Sequence, residues 1–447
     1  MTDYLASLSS FAATERVAAL QLLSGQTAFP AERDWVNMHI HTFFSYNGEG
    51  WSPSRVAYEM KKLGIYAAAV CDFDVLQALD EYLAASDLLC LRAAVGFESR
   101  VFFREYATQE INSPGEPGVF YFMGMGFVRQ PPTGSNAAAV FADMLKQSHA
   151  RNRAVIDRVN RKLGSWQLDY DRDVLPLTPD KNATERHIIA AFNQKALDHF
   201  GSATAAAAFW AALFNADQQE LALKIQDRNV FNEYLRGKLI KRGGIGYEQP
   251  TDKTFPALDS VIAMIKECRA IPMSAWLDGS SAGESKPEDQ LACLAAKGVA
   301  AVNIIPDRNW NFKDPAVKAE KVAALKRYVE AAQALNMPIN VGTEGNKPGQ
   351  RLVDDFASEA LKPFHQTFLE GAQIIVGHTR LLRYADFSYI DPDTQGLFAC
   401  QACRNRLFAA VGALPAPDAA TRNKLTAMGA SKAFAYLQDS AKAGQWR

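Results

Sequence analysis

Apolar residues in this chain gather in short runs separated by stretches of helical spacing, the pattern of alternating strands and helices. The first run is Val36 to Ile40. Ser52 then offers a cap and Pro53 a first helical position, Val56, Met60 and Leu63 recur at helical spacing, and Gly64 ends the helix. Further strands are predicted at Tyr66 to Cys71 and Ala93 to Phe97, with a helix from Leu76 to Leu89 between them. A turn-rich stretch, Asn112 to Gly118, precedes a fourth strand from Val119 to Phe127.

From about Ala137 to Leu239 the pattern becomes almost wholly helical, broken by a loop around Asp169 to Lys181 and closed by the glycines of Arg242 to Gly246. Strands resume at Ile271 to Ala275, Val299 to Ile305 and Pro338 to Val341. Helices at about Pro287 to Lys297 and Asp314 to Leu335 separate them. Four strands before the helical block and three after it predict an α/β barrel interrupted by a helical insertion. The expected divisions are an N-terminal helical segment (1–30), two barrel halves (31–136 and 251–400), the insertion as a cover (137–250) and a C-terminal helical segment (401–447).

Composition narrows the function classes. Hydrophobic residues make up 48% and charged ones 22%, ordinary globular usage, and 48 basic against 49 acidic residues leave a net charge of −1. That balance recruits neither nucleic acid nor an anionic membrane, so a small molecule is the expected partner, with self-association left open. The first 25 residues carry Asp3 and Glu15 and lack the build of a signal peptide. The alanine-rich Ala203 to Phe214 is far short of the roughly 20 residues a membrane span needs. Six cysteines suit a reducing compartment, and a cytoplasmic protein is expected. Cys400 and Cys403 form a Cys-x-x-Cys without the second pair that a structural zinc site requires.

Candidate chemistry sits at strand ends, where parallel barrels keep their active sites. His39 and His41 lie two apart at the end of the first strand, so both imidazoles face one point. The second strand ends in Cys71-Asp72-Phe73-Asp74, the third in Gly96-Phe97-Glu98, the last in Gly342-Thr343-Glu344. Carboxylates at neighbouring strand ends repel unless a cation lies between them. The mixed nitrogen and oxygen set of His39, His41, Glu98 and Glu344 suits Zn, Mn or Fe.

Val36-Asn-Met-His39-Ile-His41-Thr-Phe-Phe-Ser45, with the two acidic strand ends that follow, resembles the polymerase and histidinol phosphatase (PHP) superfamily. The resemblance implies a distorted (β/α)7 PHP-type barrel, usually with three metals at the strand C-termini, and most often phosphate-ester hydrolysis. It assigns the first metal to His39, His41, Glu98 and Glu344. The second metal's histidines align with Phe122 and Trp276, and the third's with Asn47, Phe73 and Asn346, none of which suits the task. One divalent metal per chain is therefore expected.

The expected function is metal-dependent hydrolysis of a small anionic metabolite, a phosphoester or a carboxylic ester, lactone or amide. The alternatives are an intact multinuclear phosphoesterase and a ligand-binding relative without catalysis. Asp72 and Asp74 are the candidate general bases, Asp74 having the alternative of a helix cap before Val75. Arg100, Arg186, His187, Lys347, Arg351 and His378 are the candidate substrate contacts.

Overall fold

The computed structural model describes residues 3–164 and 166–447. Seven strands form one sheet in chain order: β1 (Val36–Ile40), β2 (Ala67–Phe73), β3 (Arg92–Phe102), β4 (Val119–Met125), β5 (Ile271–Trp276), β6 (Ala301–Ile304) and β7 (Ile339–Val341). A parallel bridge between Ile40 and Glu344 brings the two edges together, so the sheet is a distorted, nearly closed barrel. The expected α/β barrel with a helical insertion is what forms. Local signals held too: Ser52 Oγ accepts from Arg55 N at 3.0 Å to open the helix Pro53–Leu63, and Gly64 closes it in the left-handed region.

One strand departs from the parallel pattern. β4 runs antiparallel to both β3 and β5. The connection from Phe102 to Val119 holds no helix beyond the three-residue 3-10 turn Arg104–Tyr106, whereas a parallel return usually runs through a helix. The chain therefore leaves β4 at the barrel end opposite the strand C-termini. The helix Asn136–Leu163 carries it back, its 28 residues spanning about 42 Å at 1.5 Å per residue. Its first part, at Ala137 and Met144, packs in the barrel's core. Its last part, at Ile156, Val159 and Leu163, belongs to a separate core formed by the insertion alone.

The helix His365–Ala385 closes the opposite end. Its contacts with the barrel include the entries of the parallel strands. Gln373 Nε2 donates to the Tyr66 hydroxyl just before β2, and a Cβ on Gly371 would sit 1.9 Å from the carbonyl oxygen of Ile339 at the start of β7. The helix Gln401–Ala413 lies against it in backbone contact. A Cβ on Gly377 or Gly412 would fall 1.8 Å from a carbonyl oxygen of the other helix, so both positions need glycine.

His378 belongs to this end and not to a substrate site. It is fully buried, its Nε2 donates to Gly126 O at 3.1 Å, and its Nδ1 accepts from Tyr389 N at 3.2 Å. One nitrogen must donate and the other accept, so the ring is neutral. Burial pushes its pKa down to about 4. A base depressed in the folded state stabilises the fold above its ordinary value of 6.5 and loses that contribution as pH falls toward 4. The loss is up to about 3 kcal/mol. Chemical denaturation across pH 7.5 to 4.5 should show His378→Gln less stable than the wild type at neutral pH, with the gap closing in acid. A gap that stays constant would remove His378 from the acid response.

Candidate metal centre and cavity

β1 delivers His39 and His41, and β3 delivers Glu98. His39 Nε2 and His41 Nε2 are 3.4 Å apart, and Glu98 Oε2 lies 3.5 and 3.2 Å from them. Ligands sharing a tetrahedral cation at bond lengths of about 2.0–2.2 Å stand roughly 3.3–3.6 Å from one another. The triangle has that size. Burial alone would raise the Glu98 carboxyl, yet hydrogen bonds from both imidazoles hold it down at about 2, so it is an ionised donor.

The support behind the triangle is specific. His41 Nδ1 lies 3.2 Å from Ser45 Oγ, and Ser45 Oγ donates to Asp72 Oδ1 at 2.6 Å. A serine hydroxyl that gives its hydrogen to Asp72 can only accept from His41, so Nδ1 carries a proton and Nε2, the nitrogen facing Glu98 and His39, is the one that would ligate a cation. Asp72 also accepts from Thr42 N and Thr42 Oγ1, both at 2.7 Å. These bonds fill its oxygens away from the cavity. Its geometry is that of a positioning residue, which corrects the expectation of a general base.

The turn after β7 supplies the fourth candidate ligand, Glu344. His41 N donates to Glu344 O and Glu344 N to His39 O, each at 2.8 Å. Glu344 takes a left-handed φ of 69°. Its carboxylate accepts from Arg308 Nη2 at 2.8 and 3.0 Å and from Asn346 Nδ2 at 3.2 Å. Burial would raise Glu344, but Arg308 and the two histidines outweigh it and keep it low. A carboxylate has about four lone-pair positions, so these partners leave room for ligation.

Cys71 is a donor that the sequence reading passed over. Its Sγ and ligand atoms of His39 and His41 all lie within 4.8 Å of one another. The signal was strand parity: Cys71 and Phe73 fall on one face of β2, and Asp72 on the other. Phe73 stacks on His41 with ring centroids 4.5 Å apart, filling a place where the family resemblance would put a metal-binding histidine. Parity also corrects Phe122, which packs in the apolar cluster behind the strand while its neighbour Tyr121 lines the cavity. Asn47 is spent on backbone, donating to His41 O and accepting from Glu49 N and Trp51 N.

Above the triangle lies a cavity of about 950 Å³ between the strand ends and the insertion, lined by ten basic and six acidic side chains. Arg100, Arg186, Lys347, Asp74 and Trp276 line it. Asp74 is not a helix cap, since the next helix begins only at Leu79. It sits at φ 62°, accepts from Ser99 Oγ at 2.5 Å and faces Arg151 at 3.9 Å. Burial raises its pKa, while Arg151, Ser99 and Arg100 oppose the rise. His187 stays out of the cavity: its Nδ1 accepts from Thr184 N at 3.1 Å in a capping box, while Arg186 lines the cavity and is paired with Glu233. Arg351 is exposed and stacks over Trp310 instead. Missed from the sequence were Glu185, Arg236 and Lys241, which meet in the wall: Glu185 accepts from Arg236 Nη2 at 3.1 Å and pairs with Lys241 at 2.9 Å.

No family model matches the chain, and no curated protein matches it. Two solved structures resemble it. An amidohydrolase from Chromobacterium violaceum, solved with bound sulfate and no metal, superposes with a TM-score of 0.50 at 13% identity, over 75% of this chain and 96% of that one. A protein from Bifidobacterium adolescentis named for metal-dependent phosphoesterase activity gives a TM-score of 0.45 at 16% identity, over 76% of this chain and 98% of that one. The likeness is one of fold. Among the described residues no helix is long and apolar enough to cross a membrane.

The relay from Asp72 to His41 generates a test. Ser45→Ala and Asp72→Asn should each weaken metal affinity about 10- to 100-fold with the fold retained. Titration with a competing chelator measures it, and unchanged affinity in both variants would reduce the relay to packing.

Proposed function

We propose that this protein is a metal-dependent hydrolase with a single divalent cation, acting on a small anionic ester or amide, phosphoesters included. The observation that carries the reading is the triangle of His39 Nε2, His41 Nε2 and Glu98 Oε2 at 3.2–3.5 Å, opening on a cavity in which basic side chains outnumber acidic ones. The donors fit: two imidazole nitrogens and an ionised carboxylate, with the ionised Glu344 facing the same cavity as a fourth ligand. When bound there, a divalent cation lowers the pKa of a water and polarises the bond to be cleaved. Zn, Mn and Fe all accept such ligands. A PHP-type ancestry accounts for the motifs around His39 and Glu98.

The chain's own residues supply the remaining roles. Asp74 faces the cavity with a carboxylate oxygen directed toward Arg151, where it can take a proton from the attacking water and return it to the leaving group. Arg100 and Lys347 compensate the substrate's negative charge at the cavity wall. Arg308 holds the Glu344 carboxylate in place. Phe73, Tyr121 and Trp276 bound the space around the triangle and keep water out of it. Their rings also argue against a second and third cation, since they offer no comparable ligand where the family's further histidines would stand.

Elemental analysis of protein purified without chelator should give about one metal per chain, as the four-donor set predicts. His39→Ala and His41→Ala should lose it, while Cys71→Ser keeps it, because Glu98 and not the thiol completes the triangle. Two well-occupied ions at bridging distance, about 3.5–4 Å, would overturn the single-metal reading in favour of a multinuclear phosphoesterase. A metal-free protein that still binds small anions would instead support a binding protein.

With the metal loaded, Asp74→Asn should lower kcat by about 100-fold or more at unchanged metal content, as loss of a general base does. A screen of phosphate esters, lactones and acyl esters supplies the substrate for that measurement. A variant with full turnover would take the base away from Asp74.

A further inference from the structure

We propose that Cys400 and Cys403 form a redox-active dithiol that exchanges with low-molecular-weight disulfides such as oxidised glutathione. The pair lies at the barrel end away from the cavity, and neither cysteine lines the cavity, so this inference stands apart from the hydrolase reading.

The two sulfurs are 2.7 Å apart. Cys400 caps the helix Gln401–Ala413, and its Sγ accepts from Cys403 N at 3.3 Å. The unpaired N–H groups and positive end of a helix of this length favour a thiolate at its cap. A second cation adds to that: Arg406 Nη2 lies 3.1 Å from Cys403 Sγ. Hydrogen bonds from Cys403 accordingly lower the Cys400 thiol below its ordinary value. Elsewhere burial does the opposite, pushing Cys71 up to about 11 and Cys268 up to about 12.

Exposure divides the roles. Cys400 is exposed and can meet an incoming disulfide, while Cys403 is partly shielded. The helix that carries them is held firmly. Its backbone meets the helix His365–Ala385 through Gly377 and Gly412, and Gln401 Nε2 and Asn405 Nδ2 both donate to Asn336 O at 2.9 Å. A fixed first turn keeps the second sulfur within reach of the first.

The exchange balances in two steps. The Cys400 thiolate attacks one sulfur of the small disulfide, forming a mixed disulfide and expelling a thiolate that takes up a proton. Cys403 then loses its proton to solvent and attacks the Cys400 sulfur, closing the intramolecular disulfide and expelling the second small thiol. Two electrons pass from the cysteine pair to the small disulfide, which leaves as two thiols.

The test treats the full-length protein with oxidised glutathione, alkylates the remaining thiols and maps them by mass spectrometry. The wild type should lose two alkylatable thiols, at Cys400 and Cys403, and regain them with reduced dithiothreitol. Cys403→Ser should instead retain a glutathione adduct on Cys400, and Cys400→Ser should carry much less on Cys403. The proposal is overturned if both thiols of the wild type stay alkylatable. It is equally overturned if the adduct on Cys400 in Cys403→Ser does not exceed that on Cys90 and Cys293. Tight zinc binding by the pair, protecting both thiols from oxidised glutathione, would also refute it in favour of a metal site.

Discussion

The closure of β7 on β1 is the contact on which the candidate centre depends. Two backbone hydrogen bonds, His41 N to Glu344 O and Glu344 N to His39 O, lock the strand ends with the histidines on one side and the acid on the other. The approach is possible because residue 342 has no side chain: a Cβ on Gly342 would lie 2.4 Å from His39 N. Asn37 ties the same seam from below, donating to Thr343 Oγ1 at 2.8 Å and accepting from Thr343 N at 3.2 Å. A side chain at residue 342 would push β7 outward and separate Glu344 from the imidazoles. The chemistry of the site is thus set by a backbone distance as much as by its ligands.

The reversal of β4 decides where the cover comes from. Because β4 ends far from the site, the chain can return only by a long element, and Asn136–Leu163 serves as the strut. The same helix anchors in the barrel core at one end and in the insertion's own core at the other. Its middle residues, Arg151 and Asn152 among them, therefore face the cavity. Had β4 been parallel, as a regular βα alternation expects, the chain would have left it at the cavity mouth and needed no strut.

What could be read in the sequence followed from local rules. The strand end bearing His39 and His41 and the cap at Ser52 are short-range signals, and the structure has both in place, while β3 runs past the expected end at Phe97 to Phe102 and carries Glu98 within the strand. The errors fall into two kinds. Parity along a strand separates Cys71 from Asp72 and Tyr121 from Phe122, and a reading by strand ends alone does not resolve a single residue. The other kind is distance along the chain. Glu185 meets Arg100, Arg236 and Lys241, and nothing at any one of these positions announces partners 51, 56 or 85 residues away in number. His378 misled for a related reason: a histidine after an apolar run looks the same whether it faces a cavity or the backbone at the far end of the barrel.

Those distant charges explain how the cover finds its place. The barrel presents an acid, Asp74, to Arg151 of the insertion at 3.9 Å, and a base, Arg100, to Glu185 of the insertion at 3.7 Å. The two pairs have opposite sense, so a cover shifted or turned by one position would set like charges together. Such contacts contribute register more than net stability, because desolvating the ions offsets much of their attraction. Phe255 lies between both arginines, with Arg100 and Arg151 over its ring at 4.4 and 4.6 Å, and limits where either can move. Asn182 then fastens the insertion directly to the ligand-bearing loops, donating to Phe44 O and Phe73 O at 2.9 and 2.8 Å. Phe44 follows His41 by three residues and Phe73 stacks on its ring, so the cover is registered against the candidate metal centre itself. An anion entering the cavity would compete with Glu185 and Asp74 for the same arginines, and substrate binding and the seating of the cover would then draw on one set of charges.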